Sequence, residues 1–216
     1  MSSLFALSPQ DQDQLTELLN IGVAHAGTTL SKMLGRRITI SIPWASLRNT
    51  ETAAHLIEEP DNVMMAVLLR LTGGFDGYVC LVFTREAATH LLHALTEKNI
   101  TDLSELNEFD RSVFREIGNI LTGGMLQGLS QFLHMSLVQS VPDIVIDMGG
   151  AMFNTLAATM IARHDEFCLL NVNICVNPAA NAIDCRLGEE ATGKIFLFLG
   201  PDAVKDILTL TNSMTS

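Results

Sequence analysis

Two acid–amide pairs recur along the chain, Glu17 with Asn20 and Glu116 with Asn119. Residues three apart on a helix share a face, so each pair would present a carboxylate beside a carboxamide. Neither group is a usual nucleophile. An Asn amide can both donate to and accept from a water molecule. Orienting a water for in-line attack on a phosphoryl group is one route to hydrolysis that needs little else. Asp13 precedes Glu17, and Ser112 precedes Glu116, by four residues, extending each pair into a short polar stripe. A lone Glu/Asn pair on a helix is ordinarily a solvated face. What sets these apart is their recurrence in matched register, each followed by a proline (Pro43, Pro142) at the same distance from its Asn.

The pairs belong to a longer repeat. The segment 13–43 realigns without gaps on 112–142 at a constant offset of 99, which also superposes Ile21 on Ile120, Leu30 on Leu129, Ser31 on Ser130 and Leu34 on Leu133. Helical periodicity brings apolar residues back by geometry, but not Glu, Asn, Ser and Pro. A later pair of segments, 78–95 and 194–210, repeats at an offset of 116, so the second unit is about 17 residues longer. The polar stretch 177–192 is the expected place for that loop insertion, which costs little thermodynamically.

The elements that must carry the pairs follow from the pattern. Ser8 reads as an N-cap with Pro9 at the first helical position, opening a long amphipathic helix that Gly35 ends. Arg37–Ile42 alternates and reads as a strand. Val63–Leu71 and Tyr78–Phe83 flank Thr72-Gly73-Gly74 and read as a hairpin, after which Thr84 caps a helix over Arg85–Thr96. The second unit repeats the order: a long helix near Leu106–Leu133, strands at Ser136–Val141, Ala157–Arg163, Cys168–Val176 and Ile195–Leu199, and a helix from Pro201. Two such units most economically share one sheet and one core. Glycines and alanines follow each Asn closely (Gly22, Ala26; Gly123, Gly124). Glycine inside a helix costs about 1 kcal/mol against alanine, so they point to close approach by another backbone, either the sister helix or a partner.

Composition narrows the function classes. The chain has 216 residues, 48% of them hydrophobic, with 13 Lys+Arg against 24 Asp+Glu and a net charge of −11. That balance excludes a disordered chain and lacks the basic face of a nucleic-acid binder. No stretch approaches the roughly 20 apolar residues of a spanning helix, and Met1–Pro9 has no signal-peptide character, so a cytoplasmic location is expected. The four cysteines (Cys80, Cys168, Cys175, Cys185) form no CxxC pair and read as reduced, buried thiols. There is no GxSxG elbow, HExxH or P-loop. His90 and His93 read as surface histidines without further ligands, Trp44 as a packing anchor and the ten methionines as core filler. Asp147, inside an apolar run, reads as an exposed edge residue or a buried, hydrogen-bonded carboxylate.

The repeated signature Asp/Ser-x3-Glu-x2-Asn-x22-Pro resembles that of the CheC-type phosphatases of bacterial chemotaxis, with their relatives CheX and FliY. The chain fits it twice, as Asp13, Glu17, Asn20, Pro43 and as Ser112, Glu116, Asn119, Pro142. The flanking sequences and Ile146–Met152 look similar as well, and the resemblance covers nearly the whole chain. It implies an α/β CheC-like fold: a single domain over 1–216 whose internal repeats, 8–97 and 106–214, are related by a pseudo-two-fold and share one central, mainly antiparallel sheet flanked by long helices. It implies hydrolysis of the aspartyl phosphate of a CheY-like response regulator. Asn20 and Asn119 would orient the attacking water, and Glu17 and Glu116 would dock on the regulator's lysine. Asp13 and Ser112 would support their Glu. The Mg2+ would be held by the regulator, with no cofactor on this chain. Some members of the family bind CheD, for which the segment around Asp147 is a candidate. Two departures stand out. The residue before Asn119 is Gly118, the family's usual choice, whereas Leu19 precedes Asn20 and either tucks into the core or crowds a docking partner. His25 replaces a small or polar residue.

Overall fold

The structure is a computed structural model, and it describes residues 9–35, 37–49, 60–74, 77–133, 135–152, 154–155, 166–177, 189–199 and 209. Helix α1 (Pro9–Leu34) begins on its proline and ends at Gly35, whose φ of +64° suits a residue without a Cβ. Strand β1 (Arg37–Asn49) follows, then the hairpin β2 (Val63–Gly73) and β3 (Gly77–Thr84). The Thr84 hydroxyl accepts from Ala87 N and starts α2 (Arg85–Thr96). Helix α3 (Glu108–Leu133) leads to β4 (Leu137–Gln139), β5 (Asp143–Met148), β6 (Glu166–Asn177) and β7 (Glu189–Leu199).

The strands form one seven-stranded sheet in the order β1–β6–β7–β3–β2, with β4 and β5 both on the outer side of β2, and every pairing antiparallel. β1 therefore pairs far along the chain, Arg37 opposite Asn177, while β4 and β5 return to β2. Alternate residues of the central strands face opposite sides. Met65, Val67, Leu69, Leu81 and Phe83 join the main core with α1, α2 and α3, whereas Met64, Ala66, Cys80, Val82, Phe196 and Phe198 form a second cluster on the other face. Burial on both faces explains why Val63–Leu69 is a continuous apolar run that stops at exposed Arg70.

Four expectations need correction. β1 does not end at Ile42; a register shift between Ser41 and Trp44 carries it past Pro43, whose missing N–H a bulge tolerates. The strand expected at Ser136–Val141 is shorter, and a further strand, β5, forms beyond Pro142. β7 starts at Glu189, inside the stretch expected to be loop. His93 is half-buried on α2, so of that pair His90 alone is exposed. The expected strand 157–163, the helix from Pro201 and the side chain of Trp44 lie outside the described residues.

Candidate functional site

Helix α3 is fixed at its start. Asn107 caps it, its Oδ1 accepting from Asp110 N at 3.0 Å, while Asp110 Oδ2 accepts from Asn107 N at 2.9 Å. Asp110 is fully buried and also pairs with Lys98. Farther along, the rings of Phe114 and Phe83 meet at a centroid distance of 6.1 Å, seating the helix on β3. Gly118 lies against Val67 of β2: a Cβ there would come within 2.6 Å of the valine methyl. The next turn meets α1. A Cβ on Gly22 would collide with the carbonyl of Gly124, and one on Gly124 would sit 2.5 Å from Gly22 O. Of the two close approaches that the glycines allowed, the sister helix is the one observed.

Ser112, Glu116 and Asn119 rise along α3 from this anchored base. Ser112 and Glu116 are exposed and Asn119 is half-buried. The Ser112 hydroxyl donates to Phe109 O at 2.6 Å. Among the described residues Glu116 has no ion-pair or hydrogen-bond partner. Asn119 is held by a residue that sequence reasoning missed, Gln139 of β4. Its Nε2 donates to the backbone oxygen of Asn119 at 3.0 Å and to Asn119 Oδ1 at 3.3 Å. Asn119 Nδ2 has no acceptor among the described residues.

On α1, Asp13 and Glu17 are exposed and Asn20 is half-buried, but Asn20 is bound differently. Its Nδ2 donates to Ile42 O at 2.7 Å and its Oδ1 accepts from Ile42 N at 2.7 Å. Ile42 is the residue at the β1 register shift, immediately before Pro43. Its N–H and C=O, displaced from regular pairing, find their partner in the Asn20 side chain. A second tie of the same kind joins Ser31 Oγ to Ile38 N at 2.8 Å. Leu19 is completely buried in the core, so it does not crowd the outer face. His25 is exposed.

The two pairs sit in matched positions on two helices but are tied down unequally. The counterpart of Gln139 in the first unit is Ile40, a core residue, and the counterpart of Ile42 in the second is Val141, 82% exposed. The only signal that could have found Gln139 is its polarity at a position where the first unit is apolar. Asp147 resolves as an exposed residue of β5, its Oδ1 accepting from Met148 N at 2.7 Å. Among the described residues no three His, Cys, Asp or Glu gather into a metal-binding cluster, and no helix is long and apolar enough to cross a membrane.

One antiparallel sheet, covered by long helices that meet backbone to backbone and each carry a Glu/Asn pair, is the CheC-type fold. Comparison with known proteins agrees. The family model described as "Chemotaxis phosphatase CheX" matches residues 65–163. The CheY-P phosphatase CheC of Bacillus subtilis is 27% identical over 156 residues, 71% of this chain and 75% of that protein. FliY of Thermotoga maritima superposes with a TM-score of 0.70 at 20% identity, covering 97% of this chain and 99% of that one. The FliM middle domain from H. pylori shares the fold at a TM-score of 0.58 and 8% identity, over 94% of this chain and 99% of that domain. The resemblance to the CheC, CheX and FliY family thus holds in sequence and in fold.

Proposed function

We propose that this protein ends a chemotaxis signal by hydrolysing the aspartyl phosphate of a CheY-like response regulator. Asn119 orients the attacking water, and Glu116 engages a lysine of the regulator. Ser112 supports Glu116 from the preceding turn. The observation that carries this reading is the state of Asn119: a half-buried carboxamide on a well-anchored helix, held through its oxygen, with its N–H groups unengaged among the described residues. The exposed Glu116 one turn earlier suits a cation on a partner, and the net charge of −11 does not oppose it. The Mg2+ belongs to the regulator, no cofactor is required on this chain, and the site of action is the cytoplasm. Support comes also from the matched segment 65–163, which contains Glu116 and Asn119.

Glu17 and Asn20, with Asp13 in the place of Ser112, form the second copy of the site within a single pseudo-symmetric domain built from an internal duplication. For Asn20 to reach a partner it must first leave Ile42, so the α3 site carries the larger share of turnover. Stopped-flow dephosphorylation of a phosphorylated CheY-like regulator tests the assignment, with wild type, Asn119→Ala, Asn20→Ala and the double variant. Acceleration by the double variant equal to that of wild type would refute it.

The alternative is a regulator-binding adaptor that does not hydrolyse. The structural role of Asn20 favours it for the first unit, since an amide spent on Ile42 needs no catalytic reason to be present. Exposed Asp147 on β5 is available to a CheD-type partner under either reading, and a pull-down with wild type and Asp147→Ala tests that contact.

A further inference from the structure

The orientation of the Asn119 amide is dictated by a backbone oxygen. Asn119 O accepts hydrogen bonds and cannot donate, so the end of the Gln139 carboxamide facing it at 3.0 Å must be Nε2. The same nitrogen lies 3.3 Å from the Asn119 side chain. Two NH2 groups would repel there, so the Asn119 atom facing it must be Oδ1. That bond is long and occupies one lone pair. The other lone pair of Oδ1 and both N–H of Nδ2 remain for a water or a phosphoryl oxygen. Gln139 lies along the helix beside Gly123, where even an added Cβ would stand 3.9 Å from its amide. Among the described residues its own Oε1 is buried without a partner. A buried acceptor left unsatisfied is costly, so its presence here requires a reason.

We propose that Gln139 is the positioning residue for Asn119: its Nε2 fixes the rotation of the Asn119 carboxamide and holds the N–H groups outward. It touches neither water nor partner itself. This rests on the phosphatase reading for its kinetic consequence, but its geometric content stands apart. In the first unit Ile40 supplies no donor at this position, and the Asn20 amide turns instead onto Ile42.

The test reverses the polarity of the support. In Gln139→Glu the carboxylate cannot donate to either oxygen and attracts Nδ2 inward, whereas its protonated form recovers one donor. Gln139→Met removes the bond without reversing it. In regulator dephosphorylation, Gln139→Glu is expected to lower kcat about tenfold at pH 8 with KM unchanged. The ratio to wild type should recover as pH falls toward the carboxyl range, about 4.3 for an unperturbed Glu. Gln139→Met should show a smaller deficit with the wild-type pH profile. Wild-type kcat in Gln139→Glu at pH 8, or a deficit with the same pH profile in both variants, would overturn the proposal. Side-chain amide NMR supplies a readout that needs no activity. The Asn119 NH2 pair, assigned by its loss in Asn119→Ala, should exchange rapidly in wild type and become protected in Gln139→Glu at pH 8. An unchanged pair overturns the positioning role. If wild type fails to accelerate dephosphorylation, the phosphatase reading fails while the NMR result still decides this one.

Discussion

The carboxamide of Asn20 lies between the N–H and the C=O of Ile42, 2.7 Å from each. One side chain thus stands in for a neighbouring strand where β1 shifts register before Pro43. In the first unit the proline 23 residues after the Asn follows directly on the residue that needs the amide. In the second, the same spacing ends on Pro142 after exposed Val141, and among the described residues Asn119 makes no such tie.

Asn20→Ala should therefore be a stability variant first. It leaves both polar groups of Ile42, a residue with 1% exposure, without a partner, at an expected cost of about 2 kcal/mol. Urea unfolding, comparing midpoints at constant slope, measures it.

Asn119→Ala should behave in the opposite way. Among the described residues the Asn119 side chain makes only the long bond from Gln139, so unfolding should be nearly unchanged. Dephosphorylation of the regulator should fall about 100-fold, the usual effect of removing one well-placed polar group from a reacting centre. Plotting rate against stability for the two Asn variants separates the two duties.

Adjacent glycines on α3 should respond with opposite signs. Gly123→Ala meets only the Gln139 amide at 3.9 Å and should gain up to about 1 kcal/mol of helix propensity. Gly124→Ala gains the same propensity but drives its methyl to 2.5 Å from Gly22 O and 3.0 Å from Ala26. Backbone cannot yield as a side-chain tip can, so a net loss of about 2 kcal/mol is expected. Thermal melts of the two single variants show whether the order holds.

Lys98→Met should weaken the start of α3. Asp110 would remain fully buried, with its Oδ1 already unpartnered among the described residues and the bond from Asn107 N the one left there. Breaking a buried pair from one side costs about 3–5 kcal/mol. Because Lys98 is 36% exposed, water can replace part of it, and about 2 kcal/mol is expected in denaturant unfolding.

Burial pushes the Cys80 thiol up to about 12. An unfolded thiol ionises near pH 8.5. The folded state therefore favours the protonated form, and this contribution is complete below about pH 8.5. It is lost progressively as pH rises from there toward 12. At pH 8, Cys80 should resist a disulfide reagent in the folded protein and label on unfolding, as peptide mapping would show.

The candidate site was legible because it is repeated. Glu and Asn at one register in two long helices, with matched prolines, stand out against helical periodicity. Gln139 was hidden for the same reason: its counterpart is Ile40, so a search for what recurs passes over it. β5 escaped because Val141-Pro142 looks like a strand end, and Asp143–Met148 has only half-buried and exposed positions at the sheet margin. Pro43 misled in the other direction. A proline normally closes a strand, and only the partner supplied from α1 lets β1 continue through it. The unequal tethering of Asn20 and Asn119 has no signature in the residues themselves, which are identical.

The pairing of β1 with β6 has a consequence for synthesis. Arg37 meets Asn177, so as the chain leaves the ribosome β1 must wait for some 140 residues before its neighbour emerges. Throughout that interval it is an unsatisfied edge, the kind of strand that captures other nascent chains. The bonds from Asn20 and Ser31 are local and can form at once, binding β1 to the helix made just before it. They hold the first strand against its helix and cover its outer edge, while the groups that await β6 stay open until it emerges.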